Sequence, residues 1–341
     1  MQVLAIRLSS MGDVALTVPV LRGVLAANPG LQITLVSAAH LEPFFFGIER
    51  LNFYGVRLEL YPGLSGLRQL YKKLQAAGPW DAVLDLHSVL RTWALDGFFR
   101  LAGVPVYRID KGRKEKRALV RPRNRQLKPL RHTTQRYLEV FEAAGLPGAV
   151  AGGEVIKANP RAMASLERFL EKNGLRKEGR WIGIAPFALH REKTWPLSKI
   201  TTLIEALSKE ENCRIFLLGG KTDAPRLQHI AALYESCHNM AGVFSLDEEI
   251  ALVHMLDAVV AMDSFNMHLA ALCNRKVVSV WGATHPYAGF GPLNGNERFI
   301  VQVPPGELSC RPCSIFGDKP CSRGDLACLE KIDPVEVLHK L

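Results

Sequence analysis

Short apolar runs alternate with segments of helical periodicity along most of the chain. The run Val3-Leu4-Ala5-Ile6 is typical of a strand buried in a parallel sheet. A Ser-Ser-Met-Gly-Asp turn at 9–13 follows it and leads into an apolar-periodic helix, which the sequence Asn28-Pro29-Gly30 ends. The next apolar run, residues 31–36, completes a β-α-β unit.

The same alternation continues through the rest of the chain. Further strands are predicted at 81–86, 181–185, 214–218, 258–262 and 276–280, and further helices at 71–77, 133–144, 159–173, 197–209, 224–234, 246–255 and 266–273. Ser245 and Glu248 have the spacing of a capping box at the start of one of these helices. Strands that alternate with helices on this period indicate parallel sheets covered by helices on both faces.

The length of the chain predicts two domains. At 341 residues it exceeds the size at which one hydrophobic core usually stops growing. The Gly- and Ala-rich sequence from 145 to 159 lacks strong periodicity and is interpreted as the connection. We therefore expect α/β domains at 1–152 and 153–341, with a cleft between them.

A carboxylate follows the first predicted strand. In open α/β sheets ligands bind at the carboxyl ends of the strands, so Asp13 is a candidate to face a substrate. The alternative is that Asp13 only caps the next helix. Asp85 and His87, at the end of the strand at 81–86, are expected to line the same crevice, although a histidine in this position is more often structural.

Loops at strand ends in the second half carry further candidates. Gly219-Gly220 allows a ligand to approach the backbone closely, and Lys193 offers a positive charge to a phosphate. The amides after Asp263 open a helix whose dipole favours an anion, unless Asp263-Ser264 is simply a helix cap. Neither the P-loop spacing nor a G-x-G-x-x-G fingerprint is present, which disfavours a nicotinamide dehydrogenase.

The positive charge of the chain lies in its first half. The net charge is +10, and residues 1–150 contain 21 Lys and Arg against 11 Asp and Glu, whereas the remainder carries 22 of each. Much of the excess lies between Arg108 and Arg136, which we expect to be a partly mobile loop. This field favours an anionic partner, with a solvated surface loop as the alternative. Nucleic acid is disfavoured because this stretch has no Phe, Tyr or Trp for stacking on bases.

Composition places the protein in the cytoplasm. Hydrophobic residues make up 48% and charged residues 22% of the chain, and no apolar run approaches the roughly 20 residues that span a bilayer. The N-terminus lacks the features of a signal peptide.

Four cysteines near the C-terminus form a separate cluster. Cys310, Cys313, Cys321 and Cys328 have a spacing compatible with a structural zinc site, and reduced loop cysteines are the alternative. Cys213, Cys237 and Cys273 are expected in the core.

Several motifs, in the same order along the chain, resemble a known family. They are Arg7-Leu8-Ser9-Ser10-Met11-Gly12-Asp13-Val14 with Pro19, Lys193-Thr194-Trp195-Pro196, the turn from Asp263 to His268, and Trp281-Gly282-Ala283-Thr284-His285-Pro286. These motifs are similar to those of the ADP-heptose-dependent heptosyltransferases of lipopolysaccharide core assembly, glycosyltransferase family 9. The resemblance implies a GT-B fold, in which two Rossmann-like domains with parallel sheets face a central cleft, and an inverting, metal-independent transfer.

The resemblance also assigns roles to individual residues. Asp13 matches the general base, Lys193 the lysine that stabilises the diphosphate, and Asp263 the residue that holds sugar hydroxyls. The donor is expected at Gly219, Gly220, Asp223, Asp263, Ser264 and His268, and the acceptor at Ser10 and Gly12. The positive charge of the first half makes Arg113, Lys114, Lys116 and Arg117 candidates for contact with the acceptor or with the membrane surface. No cofactor is expected for catalysis, and the absence of any Asp-x-Asp triplet agrees with this.

The implied partners are an ADP-sugar donor, an anionic lipid-linked saccharide acceptor of the lipid A and Kdo type, and the cytoplasmic face of the inner membrane, with no nucleic acid. The chain departs from the family where Ser264-Phe265 replaces a small Thr-Gly pair and where Lys221 directly follows the Gly-Gly turn. The alternatives are therefore a related GT-B transferase that uses another nucleotide sugar and a catalytically inactive member that binds one.

Overall fold

The strands form where the sequence is continuously apolar, because these segments are covered by helices on both faces of a sheet. The computed structural model describes residues 1–304 and 306–341. Within them the strands are β1 (Gln2–Ile6), β2 (Gln32–Ala38), β3 (Leu51–Val56), β4 (Ala82–Asp85), β5 (Val106–Arg108), β6 (Arg180–Ala185), β7 (Cys213–Leu217), β8 (Cys237–Asn239), β9 (Ala258–Met262), β10 (Lys276–Trp281) and β11 (Ile300–Gln302).

The helices lie between the strands and carry their apolar residues toward the sheets. They are α1 (Met11–Ala15), α2 (Val18–Ala27), α3 (Gly63–Ala76), α4 (Leu90–Leu101), α5 (Arg113–Leu119), α6 (Thr133–Ala143), α7 (Pro160–Lys172), α8 (Leu197–Ser208), α9 (Ala224–Ala231), α10 (Leu246–Met255), α11 (Phe265–Leu272), α12 (Ala327–Glu330) and α13 (Pro334–Lys340). No helix in the described part of the chain is both long and apolar enough to cross a membrane.

Two parallel sheets organise the chain. The first runs in the order β3-β2-β1-β4-β5 and the second in the order β11-β10-β9-β6-β7-β8. In both sheets every pair of neighbouring strands is parallel, with β1 and β9 at interior positions. The predicted α/β class with two Rossmann-like, parallel-sheet domains is confirmed.

The chain divides into two compact units. The first contains residues 1–113 and 131–157, and the second contains 114–130 and 158–341. The division expected between 152 and 153 therefore did not anticipate that a segment of the basic stretch packs with the C-terminal half. Each unit has its own core, with Phe99 and Leu70 buried in the first and Trp195 and Ile204 in the second.

Most predicted elements agree with the structure within one to three residues, and the capping box of Ser245 and Glu248 is present. Three differences have physical causes. The first predicted helix is interrupted at Thr17, whose hydroxyl donates a hydrogen bond to the backbone carbonyl of Val14. The helix predicted at 71–77 begins at Gly63, because Leu67 and Leu70 continue its buried face toward the N-terminus. The basic stretch is not simply a loop, since it contains α5.

Candidate active site

An ion pair lies at the carboxyl end of β1 in the first unit. Nη2 of Arg7 is 2.6 Å from Oδ2 of Asp13, and the hydroxyl of Ser10 donates to the same oxygen at 2.8 Å. Asp13 lies in the first turn of α1, where the helix dipole favours a negative charge. The N-cap is Ser10, whose side chain makes no capping bond. The carboxylate of Asp13 is thus held by a cation and a hydroxyl, and it does not occupy the cap position.

Arg7 is itself held in a buried position. Its Nη1 donates to the carbonyl of Leu86 at 2.9 Å, and its guanidinium lies 5.7 Å from the ring centroid of Tyr137. Tyr137 is fully buried, and its hydroxyl donates to the backbone carbonyl of Asp13 at 3.2 Å. Arg7 and Tyr137 therefore fix both the side chain and the backbone of the same aspartate.

Further positive charge surrounds this carboxylate. Burial, followed by the charges of Arg7 and Lys111, lowers the pKa of His87 to about 3, so the imidazole is neutral at physiological pH. Burial and then the charges of Arg7 and Arg113 also lower the pKa of Lys111, while Asp13 acts in the opposite direction. Nδ1 of His87 has no hydrogen-bond partner among the described residues. The end of the first sheet thus presents one carboxylate within a cationic environment, which suits an anionic substrate.

Asp85 has a structural role. It is fully buried, and its Oδ1 accepts the backbone N–H groups of His87 and Ser88 at 2.9 and 2.8 Å. Its Oδ2 accepts the hydroxyl of Thr92 at 2.8 Å. Asp85 therefore closes the turn after β4 and places His87 at the strand end, and it does not line a crevice as the sequence suggested.

A second polar cluster lies at the strand ends of the second unit. Nζ of Lys193, in the turn after β6, is 3.1 Å from Oδ2 of Asp263, which directly follows β9. The hydroxyl of Thr284, after β10, donates to the same oxygen at 2.8 Å. Thr284 is fully buried and Asp263 is buried, so three neighbouring strands fix the orientation of Lys193.

The residues after β9 do not form a simple helix cap. Ser264 occupies the N-cap position of α11, but its side chain makes no capping bond. Its Oγ is buried and has no hydrogen-bond partner among the described residues. A ligand oxygen is one group that would satisfy it. His268 lies one turn into α11 and is buried.

Gly317 lies in the segment that contains the four cysteines, residues 310–328, and packs against the aliphatic part of the Lys193 side chain. A Cβ atom on Gly317 would lie 2.5 Å from Cγ and Cδ of Lys193, and the φ angle of Gly317 is +77°. The hydroxyl of Ser314 accepts the N–H of Gly317 at 2.9 Å, and the N–H of Cys313 donates to the carbonyl of Ala283 at 3.1 Å. The segment therefore packs directly against the lysine that the resemblance implicates in phosphate binding.

The Gly219-Gly220 turn follows β7. Oδ2 of Asp223 accepts the N–H of Gly220 at 3.0 Å, and the carbonyl of Gly219 accepts the N–H of Gly242 at 3.1 Å. Gly242 in turn lies against Lys221, where a Cβ would be 2.6 Å from the lysine Cγ. In this structure the carboxylate of Asp223 closes the turn.

The residues expected to contact the acceptor are divided between the units. Ser10, Gly12 and Arg113 belong to the first unit, whereas Lys114, Lys116 and Arg117 belong to the second. Nζ of Lys116 lies 4.4 Å from the ring centroid of Phe290, and Lys114 and Arg117 are exposed. The predicted acceptor role of these residues stays a prediction.

The four cysteines near the C-terminus are free thiols. Burial first, and then neighbouring thiols of the same cluster, raise the pKa of Cys313, and burial also raises that of Cys328, to about 11. Among residues 1–304 and 306–341, no three His, Cys, Asp or Glu side chains are grouped so that they would hold a metal ion. Cys310 and Cys321 lie near the other two, and the zinc site stays a prediction.

The sequence located the carboxylates and the lysine but missed the residues that hold them. Arg7 was visible only as part of a motif, because an arginine inside an apolar strand end gives no indication of its partner. Thr284 belongs to the motif at 281–286, but its contact with Asp263 was not predicted. Tyr137 lies on an ordinary amphipathic helix, and the sequence gave no indication that it contacts the site.

Comparisons with known proteins identify the family of the chain. A family model described as "Glycosyltransferase family 9 (heptosyltransferase)" matches residues 67–314. The chain is 31% identical over 150 residues to lipooligosaccharide heptosyltransferase 2 of Haemophilus influenzae, an alignment that covers 42% of each protein. The chain thus spans less than half the length of this curated relative.

Two solved structures share the fold over nearly the whole chain. The family 9 glycosyltransferase of Veillonella parvula superposes with a TM-score of 0.80 at 19% identity, covering 99% of this chain and 95% of that one. ADP-heptose lipopolysaccharide heptosyltransferase II of Escherichia coli superposes with a TM-score of 0.72 at 21% identity, covering 100% and 97%. The fold is therefore GT-B.

Proposed function

Since the chain belongs to glycosyltransferase family 9, the heptosyltransferases, we propose that it transfers a heptose from ADP-heptose to a lipopolysaccharide core acceptor of the lipid A and Kdo type. The observation that carries this proposal is the cluster at the strand ends of the second unit. There Lys193 and Thr284 both contact one carboxylate oxygen of Asp263, at 3.1 and 2.8 Å. A fixed cation beside an acidic residue matches a site that binds a diphosphate and sugar hydroxyls.

Asp13 acts as the general base. Its carboxylate removes the proton from an acceptor hydroxyl while that oxygen attacks the anomeric carbon of the heptose. The bond from the anomeric carbon to the diphosphate oxygen breaks on the opposite face, so the configuration inverts. Arg7 and Ser10 orient the carboxylate through bonds of 2.6 and 2.8 Å, which limits the reorganisation needed in the transition state.

Lys193 stabilises the leaving group. Negative charge accumulates on the diphosphate as the glycosidic bond to ADP breaks, and a positioned ammonium group lowers the energy of that state. Asp263 and Thr284 hold the ammonium group before the donor binds. The free Oγ of Ser264 and the first amides of α11 provide further donors to phosphate oxygens.

The Gly219-Gly220 turn lies close to the adenosine of the donor, because two residues without side chains let a nucleoside approach the backbone. On donor binding the carboxylate of Asp223 exchanges the N–H of Gly220 for the ribose hydroxyls. Asp263 and His268 contact the sugar. Transfer requires no metal ion, which the absence of an Asp-x-Asp triplet supports.

The acceptor is an anionic saccharide linked to lipid. The cationic surroundings of Asp13, formed by Arg7, Lys111 and Arg113, suit the carboxylates and phosphates of such an acceptor. The enzyme acts as a peripheral protein at the cytoplasmic face of the inner membrane, where this class of acceptor is assembled. The four cysteines are not grouped for metal binding in this structure, and we propose that they come together around a structural zinc ion that takes no part in the transfer. Metal analysis of the purified protein tests this directly.

A panel of nucleotide sugars tests the donor. Purified protein is incubated with ADP-heptose, ADP-glucose, UDP-glucose and GDP-mannose, each with a Kdo-containing acceptor from which the acyl chains have been removed, and nucleoside diphosphate release is measured. We expect turnover with ADP-heptose and less than about one hundredth of that rate with UDP- and GDP-sugars. A preference for another donor would replace the proposal by the related-transferase alternative, and binding of ADP-heptose without turnover would replace it by the inactive-member alternative.

A further inference from the structure

The outer face of α3 and α4 in the first unit exposes large apolar side chains that no described residue covers. Leu64 near the start of α3 is 65% exposed, Leu101 at the end of α4 is 88% exposed, and Leu60 just before α3 is 63% exposed. Leu64 and Leu101 line one open groove of about 660 Å³. A contiguous exposed apolar surface of this kind marks an interaction site more often than isolated leucines do.

Aromatic side chains form the floor of this groove. Tyr71 packs against Phe98 and Phe99, with ring centroids 5.3 and 4.9 Å apart. Phe99 and Leu70 are fully buried beneath it. The groove therefore rests on a well-packed part of the first core, and the leucines at its rim are exposed on a firm surface.

The charged residues of the same two helices have one sign. Their exposed charged side chains are Arg68, Lys72, Lys73, Arg91 and Arg100. The acidic residue within α3 and α4 is Asp96, which is fully buried and bonded to Arg108 at 2.5 Å. By contrast, α7 mixes arginine and lysine with Glu167 and Glu171. Outside the two helices, the exposed Glu59 beside Leu60 is acidic, so the face carries an excess of positive charge. A face that combines exposed leucines with such an excess complements an anionic bilayer surface.

We propose that the α3–α4 face docks on the surface of an anionic phospholipid bilayer, with Leu60, Leu64 and Leu101 inserted at the headgroup boundary and the five cations over the lipid phosphates. This inference rests on the proposed function, since it names how the enzyme reaches a lipid-linked acceptor. It differs from the expectation drawn from the sequence, which placed the membrane contact in the basic stretch at 113–117. In the structure, Lys116 of that stretch is directed at the rings of Phe290 and Phe316.

The arrangement favours a bilayer over a protein partner. The core of a protein interface is usually depleted of lysine and of other charged residues apart from arginine. Here Arg68 lines the apolar groove, and Lys72 and Lys73 are exposed on the same helix, with Lys73 bonded to the hydroxyl of Tyr61. Lipid phosphates neutralise such cations without a matching set of side chains. A single apolar contact of this size binds weakly, and the cations supply the remaining affinity, as two-signal membrane anchoring requires.

Vesicle binding tests the proposal. Full-length protein is mixed with sedimentable vesicles of phosphatidylethanolamine and phosphatidylglycerol, and separately with phosphatidylcholine vesicles, and the bound fraction is measured at low and high salt. We expect binding to the anionic vesicles that weakens with salt, and at least tenfold less on phosphatidylcholine. Equal binding to both kinds of vesicle, or none to either, would overturn the proposal.

Two variants and one control localise the contact. Leu64→Ser with Leu101→Ser is expected to lower the partition coefficient about tenfold, because each removes an apolar side chain from the headgroup boundary. Arg68→Gln with Lys72→Gln is expected to lower it about thirty-fold, at roughly 1 kcal/mol for each cation. The matched control is Leu233→Ser, since Leu233 in the second unit is 66% exposed, close to the value for Leu64. Loss of binding in the control, or no loss in either double variant, contradicts the assignment.

Transfer assays with the deacylated, soluble acceptor test the membrane-docking proposal separately from the proposed function. Both double variants are expected to transfer heptose to the deacylated acceptor at the wild-type rate, because their residues are exposed on α3 and α4 and belong to neither polar cluster of the candidate active site. If the wild type binds vesicles but shows no transfer, the proposed function fails and the docking surface stands. If the leucine variant changes the oligomeric state and leaves vesicle binding intact, the face is a protein interface and the membrane proposal is wrong.

Discussion

Arg7 and Asp13 form an ion pair of 2.6 Å in which the arginine is more deeply buried than the aspartate, with side-chain exposures of 7% and 27%. The cation is thus part of the protein interior and the carboxylate is the exposed partner. Replacing the carboxylate leaves the buried charge of Arg7 with only the carbonyl of Leu86 as a hydrogen-bond acceptor among the described residues, whereas replacing the arginine leaves a partly exposed Asp13 that keeps its bond from Ser10. The two residues therefore predict different results when they are substituted.

Asp13→Asn is expected to lower the transfer rate by a factor of about 10² to 10⁴, the usual contribution of a general base. ADP-heptose affinity should change less than about twofold, because the proposed role of this residue is toward the acceptor. Turnover and calorimetric donor binding measure the two effects. The control is Ser10→Ala, which removes one bond of 2.8 Å to the same oxygen and keeps the carboxylate. An equal loss of donor affinity in Asp13→Asn would show that the residue is structural.

Arg7→Gln is expected to reduce kcat about tenfold while the affinity for ADP-heptose stays unchanged, because the carboxylate loses its orienting partner. Arg7→Lys should recover part of the rate, since a lysine keeps the charge but not the bond to Leu86. Steady-state kinetics together with thermal melting separates positioning from stability. If Arg7→Lys melts like the wild type and is as slow as Arg7→Gln, charge is not the property that matters.

Lys193→Ala is expected to weaken ADP-heptose binding and to lower kcat by about 10² to 10³, since a preorganised charge at the diphosphate is lost. Donor titration and single-turnover rates report the two effects separately. Lys209→Ala serves as the control, because Lys209 pairs with Glu205 at 2.8 Å on an exposed helix surface. Unchanged donor affinity in Lys193→Ala would refute the phosphate role.

Gly317→Ala is expected to raise the KM for the donor about tenfold, because the added methyl group displaces the stem of Lys193. The substitution also strains the backbone, since φ is +77° at this position. Gly324→Ala provides a matched control, with the same φ of +77° and no atom within 4 Å of the added carbon. Both variants should lose similar stability on thermal melting, and the KM effect should be confined to Gly317. A similar KM in both would show that Lys193 does not depend on this contact.

The pH dependence of stability includes a contribution from His87. Its pKa is about 3 in the folded protein and near 6.5 when unfolded, so below pH 6.5 the unfolded state gains a proton that the folded state does not. Stability therefore falls as the pH drops from 6.5 toward 3, by less than about 1.4 kcal/mol for each pH unit. His87→Gln should remove this part of the loss in urea unfolding measured at pH 5 and pH 7. An NMR titration in which the His87 ring protonates above pH 6 would contradict the assignment.

Long apolar runs made the interior strands predictable. The residues of β1, β6 and β9 are buried almost throughout and read as continuous hydrophobic stretches. The edge strands β3 and β5 escaped detection because their residues are half exposed and mix polar with apolar side chains. The local pattern of hydrophobic residues indicates how deeply a strand is buried, and strands at the edge of a sheet are only partly buried.

Other features were hidden because they depend on distant residues. Helix α4 buries Asp96 and exposes Leu101, which is the reverse of the usual amphipathic pattern. The ion pair with Arg108 explains why Asp96 is buried, and Leu101 belongs to the exposed α3–α4 face. In the same way the sequence identified Asp13 and Lys193 as strand-end side chains but gave no sign of Tyr137 or Gly317 beside them. Contacts across 124 residues leave no local periodicity.

The passage of residues 114–130 into the second unit has a consequence for protein engineering. Arg125 from this segment donates to the carbonyls of Ser309 and Cys310, at 2.8 and 3.1 Å. A gene fragment that starts at residue 158 would encode the second unit without these bonds, and a chimaera joined at that point would take residues 114–130 from the other parent. Exchanging the second unit between relatives therefore calls for two simultaneous grafts, one of them an insertion within the first unit of the other parent.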